Sequence, residues 1–226
     1  MVKSNGFFLA TVIIFLEKLL EEEIECDKAS INKSRVMKFC KEIVEVEMIK
    51  CKVKKFLHLK NFLKDVDSIK LILLNNLCEI LVEKIVLEKK FEDHNESYPK
   101  LLNFIQKKIN DTPDFQYSLI VFLRSFIVKS CSDHFEQNDD DAEKILKNYE
   151  RAAEDVIFQL TANTLQCNLI INSLHTDKNK KCTLVVEKFR GSEGKMVNDD
   201  ICLQMFFMPE QFYCLYDKRF TKKYYK

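Results

Sequence analysis

Glycine and proline are nearly missing from this chain, with three of each in 226 residues. That scarcity excludes collagen-like and linker-rich designs, argues against a Gly-rich phosphate loop, and favours long helices over a turn-dense all-β fold. A surplus of one charge is also missing. Lys and Arg number 36 against 35 Asp and Glu, a net charge of +1, so no global field recruits nucleic acid or an anionic lipid surface. No apolar run is long enough to cross a bilayer. Phe7 to Leu16 (FFLATVIIFL) follows Lys3 and imitates the core of a signal peptide, yet it continues into EKLLEEE with no small-residue cleavage site. Neither secretion nor membrane insertion is expected. Finally, no Cys-x-x-Cys pair occurs. The nine cysteines (Cys26, Cys40, Cys51, Cys78, Cys131, Cys167, Cys182, Cys202, Cys214) are odd in number and scattered, several of them in apolar runs. Such residues read as small buried hydrophobes with reduced thiols, in a cytoplasmic or nuclear setting.

What is present can fill a core: 46% of residues are apolar and 31% charged, a globular composition. Phe7 to Glu25 carries Phe8, Val12, Phe15, Leu16, Leu19 and Leu20 at helical spacing, with charges only toward its end. Lys28 to Leu57 repeats the habit through Ile31, Val36, Phe39, Ile43, Val44 and Met48. Asp67 to Lys90 does so through Leu71, Leu74, Leu77, Cys78, Leu81, Ile85 and Leu87. A shorter helix is expected over Tyr98 to Ile109 with Pro99 near its first turn, where a missing N–H does no harm. Asp111-Thr112-Pro113-Asp114 is a helix-start signal, and Phe115 to Val128 (FQYSLIVFLRSFIV) belongs at the centre of a helical layer. After the polar break QNDDD at Gln137 to Asp141, helix resumes near Ala142 and again over Asp155 to Thr164.

Then the period changes. Cys167 to Leu174, Thr183 to Phe189, Ile201 to Met208 and Gln211 to Tyr216 are short, β-branched and aromatic, and are separated by polar segments. A long helical block followed by a strand cluster reads as an α+β fold, the helical block packed on a small C-terminal sheet. With no internal repeat and no linker, residues 1–226 read as a single domain.

Isolated chemical motifs are weak. Cys131 and His134 have C-x-x-H spacing without a second ligand pair, so a structural pair is favoured over zinc. Asp139 to Asp141 lacks the periodicity of a calcium loop. Lys178 to Lys181 and the tail Lys218 to Lys226 (KRFTKKYYK) mix cations with aromatics over too short a length to define a nucleic-acid surface. No metal or cofactor is expected.

Two segments carry more. Ser4-Asn5-Gly6-Phe7-Phe8-Leu9-Ala10 enters the first helix, and Met208-Pro209-Glu210-Gln211-Phe212-Tyr213-Cys214-Leu215-Tyr216 forms the last strand. They resemble the two active-site ends of the otubains, ovarian-tumour-class cysteine proteases that remove ubiquitin. There the opening loop resembles D-G-N-C-F-Y-R-A and the closing strand R-P-G-H-Y-D-I-L-Y. In between, Phe115-Gln116-Tyr117 through Phe122-Leu123-Arg124 is similar to the family's D-Y-L-V-V-Y-L-R helix, and Asp155 to Leu174 to its helix-then-strand unit. The resemblance implies a papain-like protease fold and ubiquitin, or a ubiquitinated protein, as partner.

Carried over residue by residue, it also implies lost catalysis. The family's nucleophile falls on Gly6, its general base on Gln211, the orienting acid on Tyr213 and the acid of the opening loop on Lys3. Gly6 has no side chain to attack with, and an amide cannot take up and return a proton near neutral pH. Removing a nucleophile alone lowers kcat by about 10⁶ in a well-studied hydrolase. Cys214, the nearest thiol in the matched strand, is expected on the opposite face from Tyr213, and none of His58, His94, His134 or His175 occupies the base position. The implied protein is a pseudoenzyme that keeps recognition, with a relocated Cys–His pair or a structural-subunit role as alternatives. Only five residues precede Gly6, so the resemblance implies either that the sequence begins inside the family's domain or that the function of its N-terminal arm is gone, and linkage selectivity is not carried over.

Overall fold

The computed structural model describes residues 5–21, 35–48, 66–91, 93–137, 140–148, 153–176, 182–191, 202–208 and 211–215. Among them are eight helices: α1 (Gly6–Glu21), α2 (Arg35–Glu45), α3 (Val66–Lys90), α4 (His94–Asp111), α5 (Pro113–Ser130), α6 (Ser132–Gln137), α7 (Asp140–Lys147) and α8 (Asp155–Leu165). Four strands follow: β1 (Asn168–Thr176), β2 (Cys182–Phe189), β3 (Cys202–Met208) and β4 (Gln211–Leu215). The fold is mixed α+β, helix-rich with a C-terminal sheet. No helix among the described residues is long and apolar enough to cross a membrane.

The chain divides into two compact units, residues 1–15 with 123–215 and residues 16–122 with 216–226. The first unit holds the sheet. Its order is β2-β1-β3-β4, with β1 antiparallel to β2, parallel to β3, and β3 antiparallel to β4. Alternation sorts the strands into two faces. Leu169, Ile171, Leu203 and Met205 are buried on the face that receives the first half of α1, where Thr11 Oγ1 donates to Met205 Sδ at 3.7 Å. Leu174, Leu184, Val186, Met208 and Tyr213 lie on the other face and are exposed. Residues 7–12 of α1 are buried all round, which is why its sequence shows an unbroken apolar run rather than a stripe.

The link from α8 to β1 is tight. Gln166 takes the left-handed conformation, φ 49° and ψ 47°, and its N–H donates to Ala162 O and Asn163 O to close the helix end. Gly191 lies against that turn, its N–H donating to Cys167 O at 3.2 Å. A Cβ at Gly191 would come within 3.1 Å of Ala162 O and 3.2 Å of Cys167 N, tight enough that the backbone of the turn would have to shift by a few tenths of an ångström to admit it.

The second unit is helical. α2 buries Val36, Phe39 and Ile43, and Phe39 meets Phe122 edge-on at 5.1 Å. α3 buries Ile69, Leu73, Leu77, Ile80 and Leu87, and its Glu79 forms an ion pair with Lys108 of α4. Lys84 falls in the same buried stripe, its ammonium paired with Glu88 one turn on, as a buried cation requires. The sequence pattern placed Leu71, Cys78 and Ile85 in the apolar set of this helix. All three are exposed.

α4 begins four residues earlier than the expected start at Tyr98, because Asp93 caps it by accepting from the Asn95 N–H. Pro99 therefore sits one turn inside the helix, not in its first turn. The segments 28–34 and 49–57, expected to extend the second helix, lie outside the described residues.

Candidate functional site

The sequence match pointed to two chain ends, and within the first unit they meet. Gly6 is the first residue of α1. A Cβ built there would lie 3.6 Å from the backbone N of Phe212 and 3.9 Å from its ring, so helix start and strand β4 are in van der Waals contact.

Aromatic packing sets the approach. Phe7, 1% exposed, meets Phe212 at 5.4 Å and Phe158 of α8 at 4.6 Å. Phe212 in turn stacks on Phe207 of β3 at 4.7 Å, its partner in the ladder. Phe7 and Phe158 are buried and a fully buried ring stabilises by about 2–3 kcal/mol, whereas Phe212 is half-buried and Phe207 exposed.

Strand alternation decides which residues face Gly6. Phe212 and Cys214 point toward α1, and the Cys214 thiol reaches Ala10 O at 3.8 Å. Tyr213 is on the opposite face and 46% exposed. Cys214 thus lies on the side expected for it. Gln211 is the first residue of β4, but its side chain, like the whole of Lys3, lies outside the described residues. Gly6 and the strand carrying Gln211 and Tyr213 are brought together, and the side chain that meets Gly6 is Phe212.

One group that the residue match left without a role organises the entrance. Arg124, in α5, is fully buried. Its Nη2 donates to Asn5 Oδ1 at 2.9 Å, fixing the residue immediately before Gly6. Its Nη1 donates to Ile145 O at 2.8 Å and Leu146 O at 3.1 Å, the last carbonyls of α7, where the negative end of the helix dipole favours a cation. The guanidinium also lies over the Phe8 ring at 3.9 Å, a cation–π contact in a dry site. Asn5 itself is 1% exposed. The sequence signal was a lone cation inside the apolar run FLRSFIV, since a charge in such a stretch must be matched inside the fold.

Three of the remaining thiols are poorly placed to act as nucleophiles. Burial, with Cys202 nearby, pushes the Cys167 thiol up to about 12. Burial, with Cys78 nearby, pushes Cys40 to about 11. Burial raises Cys131 despite its contact with Thr164 Oγ1 at 3.6 Å. These three stay protonated near neutral pH and are inert. His134, three residues after Cys131, makes an edge contact with Phe135 at 5.9 Å. No group of three or more His, Cys, Asp or Glu able to hold a metal occurs among the described residues. His94 stacks on Tyr98 at 5.2 Å in the second unit.

Ser173 and His175, neighbours along one face of β1, are 3.1 Å apart at Oγ and Nε2. No third group is hydrogen-bonded to that imidazole among the described residues, so the pair lacks the orienting partner that makes a histidine a base. His58, the cations 178–181 and the tail 218–226 lie outside the described residues.

No protein-family model matches the sequence, and no curated protein matches it either.

Proposed function

We propose that this chain is an otubain-like domain of the ovarian-tumour class that has lost its catalytic unit and acts by recognising ubiquitin or a ubiquitin-bearing partner. The observation that carries the reading is the approach of Gly6 to strand β4, where a Cβ added to the glycine would lie 3.6 Å from Phe212 N. It brings the helix start and the final strand together in the order the family uses for nucleophile and base. Three features favour binding without cleavage. Gly6 offers no nucleophile. The side chain facing it is an aromatic ring that cannot transfer a proton. Gly6 is half-buried rather than buried, and a backbone N–H at a helix start has no partner inside the helix, so this is the position at which a carbonyl of an extended Gly-Gly tail would be received.

Titration of isotopically labelled chain with ubiquitin, read by amide shifts, tests this. The expected result is saturable binding in the micromolar range that is lost with ubiquitin lacking its Gly-Gly tail and with Gly6→Trp. A ubiquitin probe with a C-terminal electrophile is expected to leave the chain unmodified. No shift at high micromolar ubiquitin removes the binding function, and covalent capture of the probe replaces it with an active thiol enzyme.

A further inference from the structure

Asn5 and Gly6 form the only Asn-Gly pair in the sequence, and the fold sets it beside a buried cation. An asparagine followed by glycine is open to attack on its own side-chain amide. The next backbone nitrogen reaches Cγ by closing a five-membered ring, and glycine puts no Cβ in its path. Asn5 is 1% exposed, but Gly6, the first residue of α1, is half-buried, so solvent reaches the reacting nitrogen. The Gly6 N–H lies in the first turn of the helix, where no carbonyl of that helix receives it. The amide itself is polarised. Arg124, fully buried, donates from Nη2 to Asn5 Oδ1 at 2.9 Å, and its Nη1 is held by Ile145 O and Leu146 O. A fixed cation on the carbonyl oxygen stabilises the charge that this oxygen gains when Cγ is attacked.

We propose that Asn5 is a self-modification site, converted without an enzyme into an aspartate that pairs with Arg124. Solvent hydroxide removes the Gly6 amide proton, and the nitrogen bonds to Cγ. The negative charge passes to Oδ1, against Arg124 Nη2. As this intermediate collapses, the Cγ–Nδ2 bond breaks and Nδ2 leaves with a proton as ammonia, closing a cyclic imide. Water then opens the imide. With the guanidinium on Oδ1, Cγ is the more electrophilic of the two imide carbonyl carbons, so water adds there, the Cγ–N bond breaks and Gly6 recovers its proton. The net change is asparagine plus water to aspartate plus ammonia. Addition at the other carbonyl, that of the Asn5 backbone, yields isoaspartate instead. The carboxylate meets the guanidinium through a charge-assisted hydrogen bond, stronger than the one the amide makes.

Incubation of the full folded chain at mildly alkaline pH and body temperature over several weeks, with peptide mapping at intervals, measures this. Asn5 should gain the mass of amide-to-acid exchange ahead of Asn110, which is exposed near the end of α4, and its product should be mainly aspartate. Gly6→Ala should slow the conversion severalfold. Arg124→Met should shift the product toward isoaspartate while Arg124→Lys, which keeps a cation, should not. The parent chain held in urea, where the guanidinium no longer meets Oδ1, should make the same shift without any substitution. Asn5→Asp, the product made directly, should raise Tm by roughly 2–4 °C at neutral pH. That gain is present above about pH 4 and is lost as acid protonates the carboxylate. An Asn5 that stays intact while Asn110 converts, an aspartate share that is the same folded and in urea, or an Asn5→Asp variant no more stable than the parent overturns the proposal.

Discussion

Replacing Arg124 by Met removes a buried cation while keeping most of its volume. The change leaves Asn5 Oδ1, Ile145 O and Leu146 O without the donor that now serves them at 2.8–3.1 Å. Hydrogen bonds to a charged donor contribute about 1.5–3 kcal/mol each, but they share one side chain and are not additive. Removing one partner of a buried charged cluster typically costs about 3–5 kcal/mol, so about 4 kcal/mol is expected for Arg124→Met. For a chain of this length that lowers Tm by roughly 10 °C. Arg124→Lys keeps the charge but not the planar fork, and should lose about half as much. Urea unfolding supplies the free energies, and native-state hydrogen exchange supplies the location. Protection should fall at the start of α1 and the end of α7 before it falls in α3. A double-mutant cycle with Asn5→Ala should give a coupling of about 1 kcal/mol or more. If Arg124→Met costs less than about 1 kcal/mol, or if the protection loss is uniform, the guanidinium is not the tie between the opening loop and α7.

Two glycines should respond oppositely to alanine: Gly6→Ala adds a Cβ at ordinary contact distance, 3.6 Å from Phe212 N, and should stabilise by about 0.4–1 kcal/mol. Gly191→Ala drives a Cβ to 3.1 Å from Ala162 O and should destabilise by about 1–3 kcal/mol in the same urea assay. Gln166→Gly relieves the left-handed backbone at φ 49° and should raise stability by about 1 kcal/mol, measured by thermal unfolding. The Cys167 thiol has its pKa raised from 9.0 to about 12 by burial, so the folded state binds its proton more tightly than the unfolded state does. Its contribution is present in full below about pH 9 and is lost as pH rises toward about 12. Cys167→Ala should flatten the stability profile in that window, and an unchanged slope would show that the thiol is not the titrating group.

The division into a helical block and a strand cluster was legible because the hydrophobic period changes near Cys167 from helical spacing to short β-branched runs. Strand positions agree to within two residues, since Gly191 and the polar segments between strands mark the ends. Boundaries slipped where a cap outweighed a stronger punctuator, as at α4, whose start is set by Asp93 rather than Pro99. Which side of α3 is buried was not legible, because a helix apolar on both sides has no single stripe to read. At the candidate site, the sequence named Gly6, Gln211 and Tyr213 as matched positions, but which side chain of the strand faces Gly6 was not legible, because a one-residue offset on a strand exchanges the two faces; Phe212 takes the inner one and Tyr213 the outer. Arg124 was visible as an anomaly in composition, but its acceptors are carbonyls, which a sequence does not display.

The hydrogen bond from Thr11 to Met205 joins residues 194 positions apart. During synthesis at about 5–20 residues per second, the apolar opening helix therefore leaves the ribosome roughly 10–40 seconds before the strand that receives it exists. Through that interval the apolar surface that Leu203, Met205 and Phe212 later cover has no sheet to rest on. The arrangement makes a newly made chain a client for whatever shields nascent hydrophobic segments, and makes completion of the C-terminus the step that ends that dependence.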